Sequence, residues 1–174
     1  MTALTVTLIG RDRPGLVRAL SERIAAVGGN WLESRMARLA GQFAGILLVE
    51  VPAAEVERLV AELQGLESEG LRATVERGLG EEAPAPYRTL LLELVGQDHP
   101  GIVREIAQAL AARRVNIEEL TTRVVSGSFS GESLFQAEAR LRVPADVPAD
   151  ELRELLEKLA NELMVDISLD QPVA

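Results

Sequence analysis

The sequence contains no cysteine and a single histidine, His99, among its 174 residues. Without cysteine the chain has no disulfide, no thiolate nucleophile and no thiolate metal site. His99 would have to serve alone as the base of any serine-based catalytic arrangement, and one imidazole without a second histidine or a thiolate does not make a zinc site. We therefore expect no catalytic residues, no metal site and no cofactor, and the protein is predicted not to be an enzyme.

Aromatic residues and positive charge are also scarce. Aromatic residues make up 3% of the chain, against 47% for all hydrophobic residues, so the core is expected to consist of leucine, valine, isoleucine and alanine. The chain has 18 basic and 27 acidic residues, which gives a net charge of −9. Such a charge repels phosphate backbones and anionic membranes. We expect no direct nucleic-acid partner and no membrane partner.

Long hydrophobic runs are missing as well. No uninterrupted apolar stretch approaches the roughly 20 residues that cross a bilayer as a helix. The first residues, Met1–Ile9, lack the basic segment of a secretory signal peptide, and Thr5 and Thr7 interrupt their apolar run. The sequence predicts a soluble, cytoplasmic protein.

One motif occurs twice in the chain. The segment Gly10–Arg18 reads GRDRPGLVR and is closed by Asn30, and Gly96–Arg104 reads GQDHPGIVR and is closed by Asn116. The two copies are offset by 86 residues without a gap. An internal repeat of this kind indicates two copies of one structural unit, each of about 80 residues.

Each copy alternates between strand and helix patterns. Leu4, Val6 and Leu8 alternate with polar residues, as in a half-buried strand. The segment 12–15 breaks that strand, and apolar residues spaced by three or four over 17–27 predict a helix. The same reasoning predicts the remaining elements of the first copy as a strand over 31–39, a strand over 43–51, a helix over 56–66 and a strand over 71–76.

The segment 78–87 contains glycine and proline without an apolar period, as in a linker. It separates a first domain over 1–77 from a second over 88–174. The second copy repeats the pattern with six extra residues in a Gly/Ser-rich hairpin tip over 126–133. The order βαββαβ predicts an α+β fold of two ferredoxin-like units, each an antiparallel four-stranded sheet with two helices on one face. Uncovered faces and edges favour a homo-oligomer.

A βαββαβ unit with Asp-x-Pro-Gly at its first turn and Asn after its first helix resembles the ACT domain, a regulatory module that binds amino acids or similar metabolites. Over the full length, with Asn116–Leu120 and the hairpin Gly131–Phe135, the chain resembles the glycine cleavage system transcriptional repressor family. This resemblance implies a regulator of amino-acid metabolism that binds a small amino acid, such as glycine or serine, and acts through a protein partner. The alternatives are a regulatory subunit of an amino-acid biosynthetic enzyme and a ligand-free dimerisation module.

The resemblance also places the ligand against the first turn and the following helix, at an interface between modules. Within the turn, Asp12 and Asp98 are candidates to cap their helices, to meet an ammonium group, or to do both. Asn30 and Asn116 either contact a ligand or only tolerate the angles of a helix exit. The candidate ligand-binding residues are Arg11, Asp12, Arg13, Gly15, Leu16, Val17 and Asn30 in the first copy, and Gln97, Asp98, His99, Gly101, Ile102, Val103 and Asn116 in the second.

Two features of these candidates shape the expectation further. Arg13 and His99 occupy matching positions, which indicates that the two sites are not equivalent. In each copy the aspartate and the asparagine flank one helix, so they lie at its opposite ends. A shared site therefore requires the first turn of one module to face the helix exit of another.

Overall fold

The computed structural model describes residues 1–78, 85–126 and 132–172. The chain divides into two compact units, Met1–Glu81 and Glu82–Ala174. Most of the linker predicted over 78–87 lies outside the described residues, and so does most of the hairpin tip predicted over 126–133. Tyr87, the last residue of that predicted linker, is the first residue of a strand.

The first unit contains the six predicted elements in the predicted order. Its four strands form one antiparallel sheet in the order β2-β3-β1-β4. Two short 3-10 helices, Ala53–Glu55 and Leu66–Glu69, flank the second helix and were not predicted as separate elements. The elements are β1 (Thr2–Arg11), α1 (Leu16–Ala26), β2 (Asn30–Leu39), β3 (Gln42–Val51), α2 (Val56–Gly65) and β4 (Leu71–Arg77).

The second unit repeats this arrangement, with sheet order β6-β7-β5-β8. The predicted fold class, two α+β units of βαββαβ order, is confirmed. Each helix connects two strands that are not neighbours in the sheet, so it returns the chain across one face of that sheet. The elements are β5 (Tyr87–Gln97), α3 (Ile102–Ala112), β6 (Asn116–Ser126), β7 (Ser133–Pro144), α4 (Ala149–Leu163) and β8 (Val165–Asp170).

Each unit has its own core between the sheet and its two helices. Alternate residues of the central strands point towards the helices, so Val6 of β1 and Leu92 of β5 are buried while Thr7 and Glu93 are exposed. Burying a leucine or valine side chain contributes about 1.5–3 kcal/mol. No polar or charged residue is buried in the part of the chain that the structure describes.

The glycine that begins each motif lies where two strands approach closely. Gly10 pairs with Leu71, and Gly96 pairs with Val165. A Cβ atom on Gly10 would lie 2.3 Å from the carbonyl oxygen of Gly70, and one on Gly96 would lie 2.4 Å from Cγ1 of Val165. Both glycines therefore allow the last strand of the unit to cross directly beside the first turn.

Both second strands contain an irregularity at the same place. The pairing of β2 with β3 shifts between Trp31 and Glu33, and that of β6 with β7 shifts between Ile117 and Glu119. A bulge of this kind inserts one extra residue and reverses the facing of every residue beyond it. The bulge thus sets which residues of the strand lie on the core-facing side of the sheet.

Candidate functional site

Each first turn is attached to the hairpin that joins the second and third strands of its unit. The N–H of Asp12 donates to the carbonyl of Gly41 at 2.9 Å. In the second unit the N–H of Asp98 donates to the carbonyl of Ser133, also at 2.9 Å. Because this bond involves the backbone, the aspartate side chains are left to interact elsewhere.

The helix that follows each turn begins with a glycine in the left-handed region. Gly15 has a φ of 92° and Gly101 a φ of 101°, and neither helix start has a side-chain cap. The possibility that the two aspartates cap their helices is therefore wrong, since a glycine holds the cap position three residues later. The proline of each motif lies before the helix.

The glycine caps leave backbone donors at the start of α1 and α3. The carbonyl of Gly15 accepts from the N–H of Ala19 at 2.9 Å, and that of Gly101 from Glu105 at 3.0 Å. The N–H groups of a first helical turn have no acceptor within the helix. Together with the helix dipole, such groups bind anions, including carboxylates.

The two aspartates differ in what surrounds their side chains. Nε of Arg38, on β2, donates to Oδ2 of Asp12 at 2.7 Å. Arg38 pairs with Phe43 in the sheet, and the residue that pairs with the equivalent Phe135 is Val124. In the described parts of the chain, Asp98 takes part in no ion pair.

The residues after the aspartates connect the turn to the end of the second helix. A terminal nitrogen of Arg13 donates to the carbonyl of Glu69 at 2.9 Å. In the second unit Nε2 of His99 lies 3.1 Å from the carbonyl of Leu163. An arginine and a histidine thus play the same structural role, which sequence reasoning missed. Ligand contact by either side chain stays a prediction, and it would compete with this hydrogen bond.

The apolar candidates fall into two groups. Leu16 and Ile102 are each 3% exposed, so their side chains belong to the core. Val17 and Val103, one residue later, remain exposed at the start of their helices. The arginines one residue further on are paired with glutamates, Arg18 with Glu22 at 2.7 Å and Arg104 with Glu105 at 2.6 Å.

The remaining polar candidates lie at strand ends. Arg11 and Gln97 are exposed at the ends of β1 and β5. Asn30 and Asn116 are exposed and are the first residues of β2 and β6. Because α1 and α3 have 11 residues each, a helix rise of 1.5 Å per residue separates the two ends by about 16 Å. A single unit therefore does not bring its aspartate and its asparagine together.

The second unit also contains a small apolar cavity next to its turn, which sequence reasoning did not anticipate. It lies between α3 and the sheet and has a volume of about 30 Å³. The first unit has bulkier Trp31 and Leu47 where the cavity wall has Ile117 and Ala139. The cavity is lined by Leu92, Leu94, Ile102, Val103, Ile106, Ala107, Leu110, Ile117, Leu120, Phe135, Ala137 and Ala139.

Within residues 1–78, 85–126 and 132–172, no group of three or more histidines and carboxylates could hold a metal ion. Over the same ranges, no helix has the length and hydrophobicity needed to cross a membrane.

Comparison with known proteins matches both units to one family. The family model described as ACT domain matches residues 2–76 and 88–170 of this chain. The glycine cleavage system transcriptional repressor of Escherichia coli (strain K12) is 23% identical over 169 residues, which cover 96% of this chain and 88% of that protein.

Two solved structures resemble the whole chain. A crystal structure of an unknown protein from Galdieria sulphuraria has a TM-score of 0.89 and 30% identity, with 99% of both chains covered. A putative glycine cleavage system transcriptional repressor has a TM-score of 0.70 and 22% identity, with 97% of this chain and 96% of that one covered. With a turn of the same geometry in each unit and a family match to both, the chain belongs to the ACT-domain family as a tandem protein.

Proposed function

We propose that this protein is a non-catalytic regulator that binds a small amino acid at its ACT turns and signals to a protein partner. The observation that carries the proposal is the turn itself, which has the same backbone arrangement in both units. Each turn combines a left-handed glycine, the N–H groups of a helix start and an aspartate beside them. An amino acid has a carboxylate for the N–H groups and an ammonium group for the aspartate.

The proposed site is completed by a second module. The exposed Asn30 and Asn116 lie at the far ends of the helices from their own turns, so each would serve the turn of another ACT module. An asparagine supplies one donor and one acceptor for the two charged groups of an amino acid. Ligand binding would then be coupled to pairing of modules and would favour a homo-oligomer.

The proposed partner carries the DNA-binding function. The net charge of −9 opposes direct contact with phosphates. The Escherichia coli relative is named as a transcriptional repressor of the glycine cleavage system. We propose regulation of glycine cleavage or related amino-acid metabolism, with glycine and serine as ligands and the cytoplasm as the place of action. Coprecipitation from a lysate with and without glycine, followed by gel shift with the captured DNA-binding protein, tests this part.

Thermal unfolding in the presence of each of the twenty amino acids tests ligand binding. A ligand at about 100 times its dissociation constant stabilises the folded protein by about 2.7 kcal/mol. For a chain of this size the melting temperature then rises by about 5–10 °C. N-acetylglycine and glycinamide are the controls, because each lacks one of the two charges.

Variants locate the binding. Asn30→Ala or Asn116→Ala should reduce the thermal shift without preventing folding, because truncating an exposed polar side chain costs little stability, usually within about 0.5 kcal/mol. If none of the twenty amino acids changes the melting temperature, the proposed amino-acid sensing is wrong. If one does, and neither asparagine nor either aspartate matters, the site lies elsewhere.

A further inference from the structure

We propose that the two turns are specialised. Asp98 in the second unit receives the ammonium group of the ligand, whereas Arg38 neutralises Asp12 in the first unit and makes that turn a poor site for cations. This inference rests on the proposed function and concerns the same kind of site. It makes Arg38 and its counterpart Val124 the residues that decide which turn binds an amino acid.

The first turn already contains a cation. Nε of Arg38 lies 2.7 Å from Oδ2 of Asp12, a distance typical of a charge-assisted hydrogen bond. The guanidinium neutralises the charge of this carboxylate and occupies its Oδ2. An ammonium group therefore gains less at Asp12 than at an aspartate without a cationic partner.

The second turn has the same backbone but no such cation. The sheet position of Arg38 belongs there to Val124, whose side chain is 54% exposed and carries no charge. None of the arginines, the lysine or the histidine of the described residues forms an ion pair with Asp98. The ranges 79–84, 127–131 and 173–174, which complete the chain, contain no lysine, arginine or histidine.

The apolar cavity of the second unit lies next to the second turn. This second observation concerns the side chain of the ligand. Ile102 and Val103, the two residues after the turn glycine, form part of the cavity wall. Its volume is about 30 Å³, so the cavity has room only for a small group. Amino acids with a hydrogen atom, a methyl or a similarly small side chain are therefore the ligands to test at Asp98.

Isothermal titration calorimetry of the full chain with glycine, L-alanine and L-serine tests the specialisation. Two exchanges alter the charge at equivalent positions, Val124→Arg and Arg38→Val. A second pair, Asp98→Asn and Asp12→Asn, removes each carboxylate with little change in shape. Circular dichroism confirms that each variant folds, and N-acetylglycine serves as the ligand without an ammonium group.

We expect Val124→Arg and Asp98→Asn to weaken binding by about tenfold or more, the loss expected for one hydrogen bond to a charged group. Asp12→Asn should change the affinity by less than about twofold, and Arg38→Val should leave binding at the second turn intact or add a second site. If Asp98→Asn and Asp12→Asn weaken amino-acid binding equally, or if only Asp12→Asn weakens it, the specialisation is wrong while the regulatory function stands. If the unaltered protein binds none of the three amino acids, both the proposed ligand class and the specialisation are wrong.

Discussion

Replacing Met164 by glycine should stabilise the second unit. Met164 follows the last residue of α4 and has a φ of 53°, in the left-handed region, with its side chain 78% exposed. The equivalent residue after the second helix of the first unit is Gly70, with a φ of 82°. The two units thus end equivalent helices with a left-handed residue, which has a Cβ atom in the second unit and none in the first.

The magnitude follows from two opposing terms. The left-handed conformation costs an L-residue with a side chain about 1–2 kcal/mol relative to glycine. Glycine in turn gains more freedom in the unfolded chain, which offsets about 0.5–1 kcal/mol. The Met164→Gly variant should therefore raise the free energy of unfolding by about 0.5–1 kcal/mol. The reciprocal change, Gly70→Ala, should lower it by about 1 kcal/mol.

Urea unfolding of the full chain, followed by far-ultraviolet circular dichroism, measures both variants. The midpoint should shift while the dependence on urea stays the same, because neither change alters the surface that unfolding exposes. Met164→Ala is the matched control, since it removes the exposed thioether but keeps the Cβ atom, and it should leave the midpoint nearly unchanged. A lower midpoint for Met164→Gly, or an equal gain for Met164→Ala, would refute the reasoning.

Three further predictions concern single residues of the second unit. His99→Ala should lower the free energy of unfolding by about 1 kcal/mol, the usual worth of the hydrogen bond to the carbonyl of Leu163; unchanged urea stability would show that this bond contributes nothing. Gly96→Ala should lower it by about 1–3 kcal/mol through overpacking, and a melting temperature equal to that of the unaltered protein would contradict the close strand approach. The hydrogen bond and charge of Arg114 hold the pKa of Asp146 below its usual 3.8, so the stability from this pair is present above about pH 4 and is lost as the pH falls through the lower folded-state pKa. Titration by NMR should show that the pKa of Asp146 rises in the Arg114→Ala variant. An unchanged pKa would show that Arg114 does not affect Asp146.

The fold was largely predictable because local patterns determine it. The alternation over Leu4–Leu8 and the three- and four-residue spacing over 17–27 each follow from which side of an element faces the core. The predicted second and third strands begin one residue later than the observed β2 and β3. The apolar pattern does not mark the residue at which strand pairing begins. The repeat supplied the rest, because whatever the first unit forms the second must form as well.

The contacts of the site were beyond the reach of these patterns. The bond between Asp12 and Arg38 joins residues 26 positions apart, and it depends on a strand register that a bulge has shifted. Periodicity does not locate a bulge, so the sequence could not say which side chain of β2 lies beside the turn. For the same reason the aspartate was expected to cap the helix, whereas tertiary bonds to the hairpin hold it before Gly15.

The matching bulges of β2 and β6 keep the two second strands in equivalent registers. The extra residues, Leu32 and Glu118, stand at equivalent positions in the two halves. A bulge in only one of the two strands would place every residue beyond it on the opposite face from its counterpart. Because both strands have the bulge at the same position, residues beyond it correspond one for one in pairing and in facing. The difference between Arg38 and Val124 is therefore a change of side chain at one fixed place in the fold, and exchanging the two residues exchanges charge without moving the strand.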